Sequence, residues 1–394
     1  MPISERVKKL KSSATIAIST KSKEMQAEGI DVINFSIGEP DFQTPQNIKS
    51  AAKKAIDENY THYTATAGML ELRNAICGKF KKDNNLDYCP ENIMVSSGAK
   101  NCIMNILLAI CNYKDEVLLP IPFWVSYYSQ IIMTDAIPKF IEPEGDDFKI
   151  STKNIEKNIS SKVKAIIINS PNNPTGIVYT RMELEEIAKL AIKHDLTVIS
   201  DEIYEKLIYD KTEHISIASL PKMKARTVVI NGVSKAYAMT GWRLGYAAGP
   251  EKIIKSALKI QGHSTSCANS ITQRAVISAL LEKDDSVEKM RQEFEKRRNF
   301  LIEKLNSIPN IKCAIPKGAF YAMPNVSYYL EQNKKGVKTS ANLCDFLLEN
   351  YHIALVPGSA FGIEGFVRFS YANSMENIKK GVKRFEKGLK NLLD

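Results

Sequence analysis

The sequence predicts an α/β fold: a mostly parallel sheet with helices on both faces, joined to a smaller α+β domain built from the two chain ends. Three observations predict it. Between Ile93 and Ala248 short apolar runs rich in Val and Ile alternate with helical patterns, as strands buried on both faces must. Most of these runs stop at Gly, Pro, Asn or Asp, which break regular structure. Beyond about Glu251 the pattern turns to longer charged helices, with a few short strand-like runs near the end.

Taken in order, the first 30 residues carry helical signals around a polar segment, KSSATIAIST. Val32–Phe35 reads as a short extended run, and SIGEPDF (36–42) as a loop forced by Gly, Pro and Asp. Helices are expected over 47–58 and 70–80, separated by the polar, aromatic loop YTHYTATAG (60–68). Strands are expected at 93–95, 116–119, 139–141, 165–169, 197–200, 228–231 and 245–248. Helices are expected over 101–110, 123–132 and 182–194 between them, then 252–259, 271–281 and 287–305. The last stretch offers strand runs at 320–322, 353–356 and 366–370, a helix over 341–349 and a terminal helix over 375–393. The expected division is 1–45 for an N-terminal arm and part of the small domain, 46–290 for the large domain, and 291–394 for the rest of the small domain.

Bulk properties exclude several classes. Of 394 residues, 44% are hydrophobic and 25% charged, ordinary for a globular enzyme. No apolar run reaches the about 18 residues of a membrane span, and the basic N-terminus lacks the apolar core of a secretory signal. Seven cysteines, none in a C-x-x-C pair, read as free thiols of a reducing, cytoplasmic compartment. Five scattered histidines show no metal-ligand spacing, so no metal is expected. The net charge of +10 is spread along the chain rather than gathered in a stripe, which argues for a solvated surface and against nucleic acid.

The chemistry concentrates around Asn231–Gly245, NGVSKAYAMTGWRLG. Lys235 stands just past an apolar strand, where an ammonium is costly unless it is paired or converted to an imine. Arg243 adds a fixed cation whose fork suits a phosphate, and Ser234 adds a hydroxyl. An imine-forming lysine beside a phosphate site is what pyridoxal phosphate needs. Asp201, in VISDEIYEKL, ends a strand. Alone it reads as a helix cap, but opposite a pyridine nitrogen it would keep the ring cationic. Tyr204 follows it by three residues. Asn173 lies in the turn NSPNNPTG. Gly98, Ala99 and Lys100 open a helix after a strand, a generic arrangement that also binds phosphate. Trp124, in PFWVSYY, offers a flat face, although an isolated Trp is more often core. Arg368, in FVRFSYA, is an arginine within an apolar strand and needs an anionic partner, either a structural carboxylate or a substrate's.

The whole run around Lys235, with the NSPNNPTG turn and the Asp201–Tyr204 pair, resembles class I pyridoxal-phosphate aminotransferases of fold type I. The likeness extends from about residue 13 to the C-terminus and is strongest to bacterial aspartate aminotransferases, in the subgroup that includes aspartate/prephenate aminotransferases. That resemblance implies that Lys235 binds the cofactor and moves a proton. Asp201, Tyr204 and Asn173 would contact the cofactor ring. Gly98, Ala99, Lys100, Ser234 and Arg243 would hold its phosphate, and Trp124 would stack on the ring. Tyr63 would reach the phosphate of the neighbouring subunit, implying a homodimer with shared sites. Arg368 and the backbone of Gly38, with Trp124 and Asn173 beside them, would receive the substrate α-carboxylate. Ser13, Thr15 and Lys100 would meet a distal carboxylate. The implied reaction is amino transfer from L-aspartate to 2-oxoglutarate by a ping-pong mechanism. Aromatic or prephenate transamination, or lyase chemistry, would keep Lys235, Asp201 and Arg243 and change only the substrate contacts. A transcription regulator on the same fold would need a further DNA-binding domain.

Overall fold

The computed structural model describes residues 3–10 and 14–394. Its centre is a seven-stranded sheet: β1 (Ile93–Ser96), β2 (Glu116–Pro120), β3 (Ile137–Ile141), β4 (Val163–Asn169), β5 (Thr197–Asp201), β6 (Thr227–Gly232) and β7 (Gly245–Ala248). Their spatial order is β1-β7-β6-β5-β4-β2-β3. Only β7 runs antiparallel to its neighbours, so the other six share one direction. β4 and β6 are buried nearly throughout, with no alternation, because helices cover both faces. One face packs on helices Ala99–Ile110, Val125–Met133 and Glu251–Ser264. The other packs on Arg181–Lys193 and, beyond it, on Gln46–Asp57, Leu70–Asn84 and Ser270–Leu281.

Local chemistry sets the helix ends. Thr180 and Glu183 form a reciprocal capping box at Arg181–Lys193, and Ser374 caps Met375–Leu393. The terminal helix buries Ile378, Val382, Phe385, Leu389 and Leu392 along one stripe. At Gly381 a Cβ would lie 2.2 Å from the Phe35 ring, so this helix lies directly on the N-terminal segment.

The chain ends meet. Ile33–Asn34 pairs in parallel with Ile353–Ala354. A three-stranded sheet places Val367–Ser370 between Val356–Pro357 and Tyr321–Ala322. The expected single strand 353–356 is thus two pieces broken at Leu355, which serve different sheets. The polar segment after Lys11 also differs from expectation: from Ala14 it is part of a continuous helix, Ala14–Ala27. No Gly or Pro lies between Ala14 and Glu28, so nothing local stops the helix. Among the described residues no helix is long and apolar enough to cross a membrane.

Candidate active site

A cleft of about 490 Å³ opens at the carboxyl ends of the parallel strands. Strand ends are where an α/β sheet presents turns and helix N-termini to a ligand. The segment Ser36–Glu39, the strand Val367–Ser370 and the helix Ala14–Ala27 close the other side.

One end of the cleft is built for an anion. Helix Ala99–Ile110 begins there, with Ala99 and Lys100 on the wall. Arg243, in the left-handed conformation at φ 55°, donates to the Thr240 carbonyl at 2.9 Å and has no carboxylate partner among the described residues. Gly98, at φ 90°, stands behind it: a Cβ there would sit 2.5 Å from the Arg243 Nη2. At Gly245 a Cβ would sit 2.1 Å from the Ala99 nitrogen. Two glycines therefore let the guanidinium and the helix N-terminus converge, and Ser234 lines the same end.

The floor is Asp201, at the end of β5 and in register with Asn169 and Ile230. Its carboxylate is buried and accepts a 2.6 Å hydrogen bond from the Tyr127 hydroxyl. Burial raises its pKa to about 6, against the pull of the Tyr127 and Ile203 hydrogen bonds. It has no ion-pair partner among the described residues. Lys235 donates to the Gly38 carbonyl at 2.6 Å, and its ammonium lies 6.0 Å from the centre of the Tyr204 ring. Desolvation lowers its pKa to about 8, with Glu39 opposing and Arg243 and Arg368 assisting.

At the opposite end Arg368 is 2% exposed. It donates to Asn173 Oδ1 at 3.0 Å and to the Ser36 carbonyl at 2.7 Å, and lies 4.4 Å over the Tyr321 ring. Its Nε has no partner, and no carboxylate faces it among the described residues. Gly38 is close enough that a Cβ there would lie 2.9 Å from the Tyr321 hydroxyl. Toward the mouth, Lys100 lies 4.9 Å over the Trp124 ring, its pKa lowered by desolvation and by Arg243. Thr15 faces them from helix Ala14–Ala27. Ser13 lies outside the described residues. Tyr63 is not in this cleft; it is 92% exposed at the tip of its loop.

Three contributors were not anticipated from the sequence. Tyr127 follows Trp124 by one helical turn, a spacing that places both on one face and would have revealed it. Tyr321 reaches the cleft because its two-residue strand pairs with the Arg368 strand, a long-range register with no local signal. Thr240 donates to Glu39 at 2.7 Å and so ties the Arg243 turn to the N-terminal segment.

Comparison with known proteins agrees with this geometry. Residues 30–385 match the family model described as aminotransferase class I and II. The chain is 45% identical to an aspartate aminotransferase of a Bacillus species, over 98% of this chain and 99% of that one. It is 41% identical to an aspartate/prephenate aminotransferase of Nitrosomonas europaea, over 98% of each. The crystal structure of aspartate aminotransferase from Rhizobium meliloti superposes with a TM-score of 0.96 at 35% identity, covering 100% of both chains. The Thermus thermophilus aspartate aminotransferase structure with maleate gives 0.93 at 37% identity, over 98% of this chain and 100% of that one. A buried carboxylate with no cation paired to it among the described residues, an anion cradle drawn together by two glycines, and a desolvated lysine between them suit pyridoxal phosphate. The chain belongs to the class I and II aminotransferases, pyridoxal-phosphate enzymes that exchange an amino group between amino acids and 2-oxo acids.

Proposed function

We propose that the chain transfers the amino group of L-aspartate to 2-oxoglutarate, giving oxaloacetate and L-glutamate. One observation carries the choice of a dicarboxylic substrate: two cations without carboxylate partners among the described residues, Arg368 and Lys100, line a single cleft. Arg368 takes the α-carboxylate through a bidentate fork, displacing its contacts to Ser36 and Asn173. Lys100 and Thr15 meet the side-chain carboxylate, and Ser13 has the same proposed role. Many of the proteins it resembles are named aspartate aminotransferases. Those named aspartate/prephenate aminotransferases favour a second reading, with prephenate as an acceptor.

Gly98, Ala99, Lys100, Ser234 and Arg243 would hold the cofactor phosphate, Asp201 the ring nitrogen, and Tyr204 and Asn173 the ring oxygen, with Trp124 against the ring face. When bound, pyridoxal phosphate supplies a carbonyl that takes up the amino group and an electron-withdrawing ring. Lys235 holds the cofactor at rest. The Lys235 amine would serve as the base, and then the acid, for the proton on the substrate Cα. Desolvation lowers the Lys235 pKa, which favours the neutral amine that a base needs. Asp201, as an anion, would keep a pyridine nitrogen placed beside it protonated.

The exposed Tyr63 fits a homodimer in which each subunit lends this hydroxyl to its neighbour's phosphate site. Seven unpaired cysteines fit a reducing cytoplasm. A boundary near residues 45 and 290 fits the meeting of the two chain ends around Phe35 and the terminal helix.

The test is a panel of amino donors and 2-oxo acceptors, prephenate included, with Lys100→Ala. That variant is expected to lose roughly 30-fold or more in kcat/KM for aspartate while alanine and phenylalanine change little. A uniform loss across the panel would instead assign Lys100 to cofactor binding alone. Lys235→Ala is expected to lose the visible absorbance of the lysine-bound cofactor. A borohydride-reducible bond persisting in that variant would refute the assignment.

A further inference from the structure

Tyr321 belongs to neither half of the cleft and touches both. It is 1% exposed, so its phenol is committed to the interior. Its hydroxyl lies 2.9 Å from the Tyr204 hydroxyl, at the cofactor end. Its ring face lies 4.4 Å under the Arg368 guanidinium, at the substrate end. Gly38 approaches the hydroxyl so closely that a Cβ there would lie 2.9 Å from it and push it aside. The Tyr204 and Tyr321 rings meet edge to face at 5.8 Å, which fixes both planes.

We infer that Tyr321 is a positioning residue that donates its proton to the Tyr204 oxygen and gives Arg368 its platform, coupling the two ends of the cleft. The inference rests on the reading that Tyr204 donates to the cofactor's ring oxygen. A hydroxyl has one proton to give. If the Tyr204 proton goes to the cofactor, the bond between the two phenols exists only with Tyr321 as donor. The guanidinium over its ring makes Tyr321 the better donor, and the received bond strengthens Tyr204 in turn. Other charged groups face this pair from Asp201 on β5, Lys235 after β6 and Glu39 beside Gly38.

The sign follows. Donation to the ring oxygen stabilises its negative charge and weakens the hold on the proton at the lysine–cofactor linkage. Losing the Tyr321 hydroxyl weakens that donation, so the visible band of the resting enzyme should titrate at higher pH.

The experiment is a pH titration of that band, without substrate, in wild type, Tyr321→Phe, Tyr204→Phe and the double variant, with KM measured for Tyr321→Phe and Tyr321→Leu. Tyr321→Phe is expected to raise the midpoint by roughly half to one pH unit, Tyr204→Phe by more, and the double variant no further than Tyr204→Phe. Tyr321→Phe should leave KM nearly unchanged, because the ring remains. Tyr321→Leu should raise KM for all amino donors alike by about three- to thirtyfold. A Tyr204→Phe titration equal to wild type would overturn the role of Tyr204 and the coupling with it. A shift in Tyr204→Phe with none in Tyr321→Phe, or additive shifts in the double variant, would overturn the coupling alone. An unchanged KM in Tyr321→Leu would remove the platform role.

Discussion

Asp201 and Glu202 are consecutive residues at the end of one strand, and they enter two differently built regions. Glu202 faces a closed network. It accepts from Ser200 at 2.8 Å and Ser216 at 2.7 Å, and bonds His214 at 3.0 Å. Beside it Glu205 pairs with Lys79 and accepts from Asn84 at 2.9 Å, and despite burial its pKa is held near 2 by Lys79 and His214. Burial works against a charged His214, but Glu202 outweighs it and raises its pKa. Glu202, Glu205 and His214 lie close enough to surround an ion, yet Lys79 already supplies the cation. Asp201 faces the cleft, where burial prevails and its pKa rises to about 6. Arg368 likewise has burial lowering its pKa and, among the described residues, no carboxylate facing it. The lesson is that buried charge completed by the chain serves stability, and buried charge left open is completed by a ligand.

The contrast can be broken at either side. The largest stability effect belongs to the closed network. Lys79→Met leaves Glu205 buried without its cation and should cost about 3–5 kcal/mol in urea unfolding, with the kinetics of the remaining folded enzyme unchanged. A loss below about 1 kcal/mol would mean that the network is not closed by this pair.

At the open side the expected change is kinetic. Arg368→Lys keeps the charge but loses the fork, and should raise KM for every amino donor by roughly 30- to 100-fold while the unfolding midpoint stays put. An unfolding midpoint displaced as far as in Lys79→Met would make Arg368 a structural residue.

A smaller effect concerns pH. The Lys235 pKa is lower in the folded chain than in the unfolded one, so the unfolded chain binds more protons between about pH 8 and pH 10.5. The cofactor-free chain should therefore gain stability from Lys235 as pH rises through that window. Lys235→Met should flatten this rise, as measured by thermal unfolding in a pH series. A rise that persists in the variant would assign the effect to other groups.

Much of this was legible in the sequence, for local reasons. The β-branched runs gave all seven central strands to within about two residues. The turns that carry Lys235, Asn173 and Arg243 announced themselves because a tight turn leaves few residue choices. The helical extent of the segment after Lys11 was not legible, because Ser and Thr serve a cap, a loop or a helix equally well. Tyr321 was invisible because its place depends on pairing with a strand nearly fifty residues later. That Asp201 and Arg368 meet no opposite charge among the described residues was invisible too, since a sequence does not show which charges meet.

The most direct test of the open and closed distinction is the unfolding free energy of wild type and Asp201→Asn at pH 7, each with and without pyridoxal phosphate. Asp201 binds its proton more tightly folded than unfolded, so it costs the cofactor-free chain stability as pH rises from about 4 to 6, on the order of 3 kcal/mol. Without cofactor, Asp201→Asn should therefore be more stable than wild type. With cofactor the order should reverse, because the wild-type carboxylate then gains its cation. A variant less stable than wild type in both conditions would contradict the account, and would place Asp201 with Glu202 among the charges that hold the fold together.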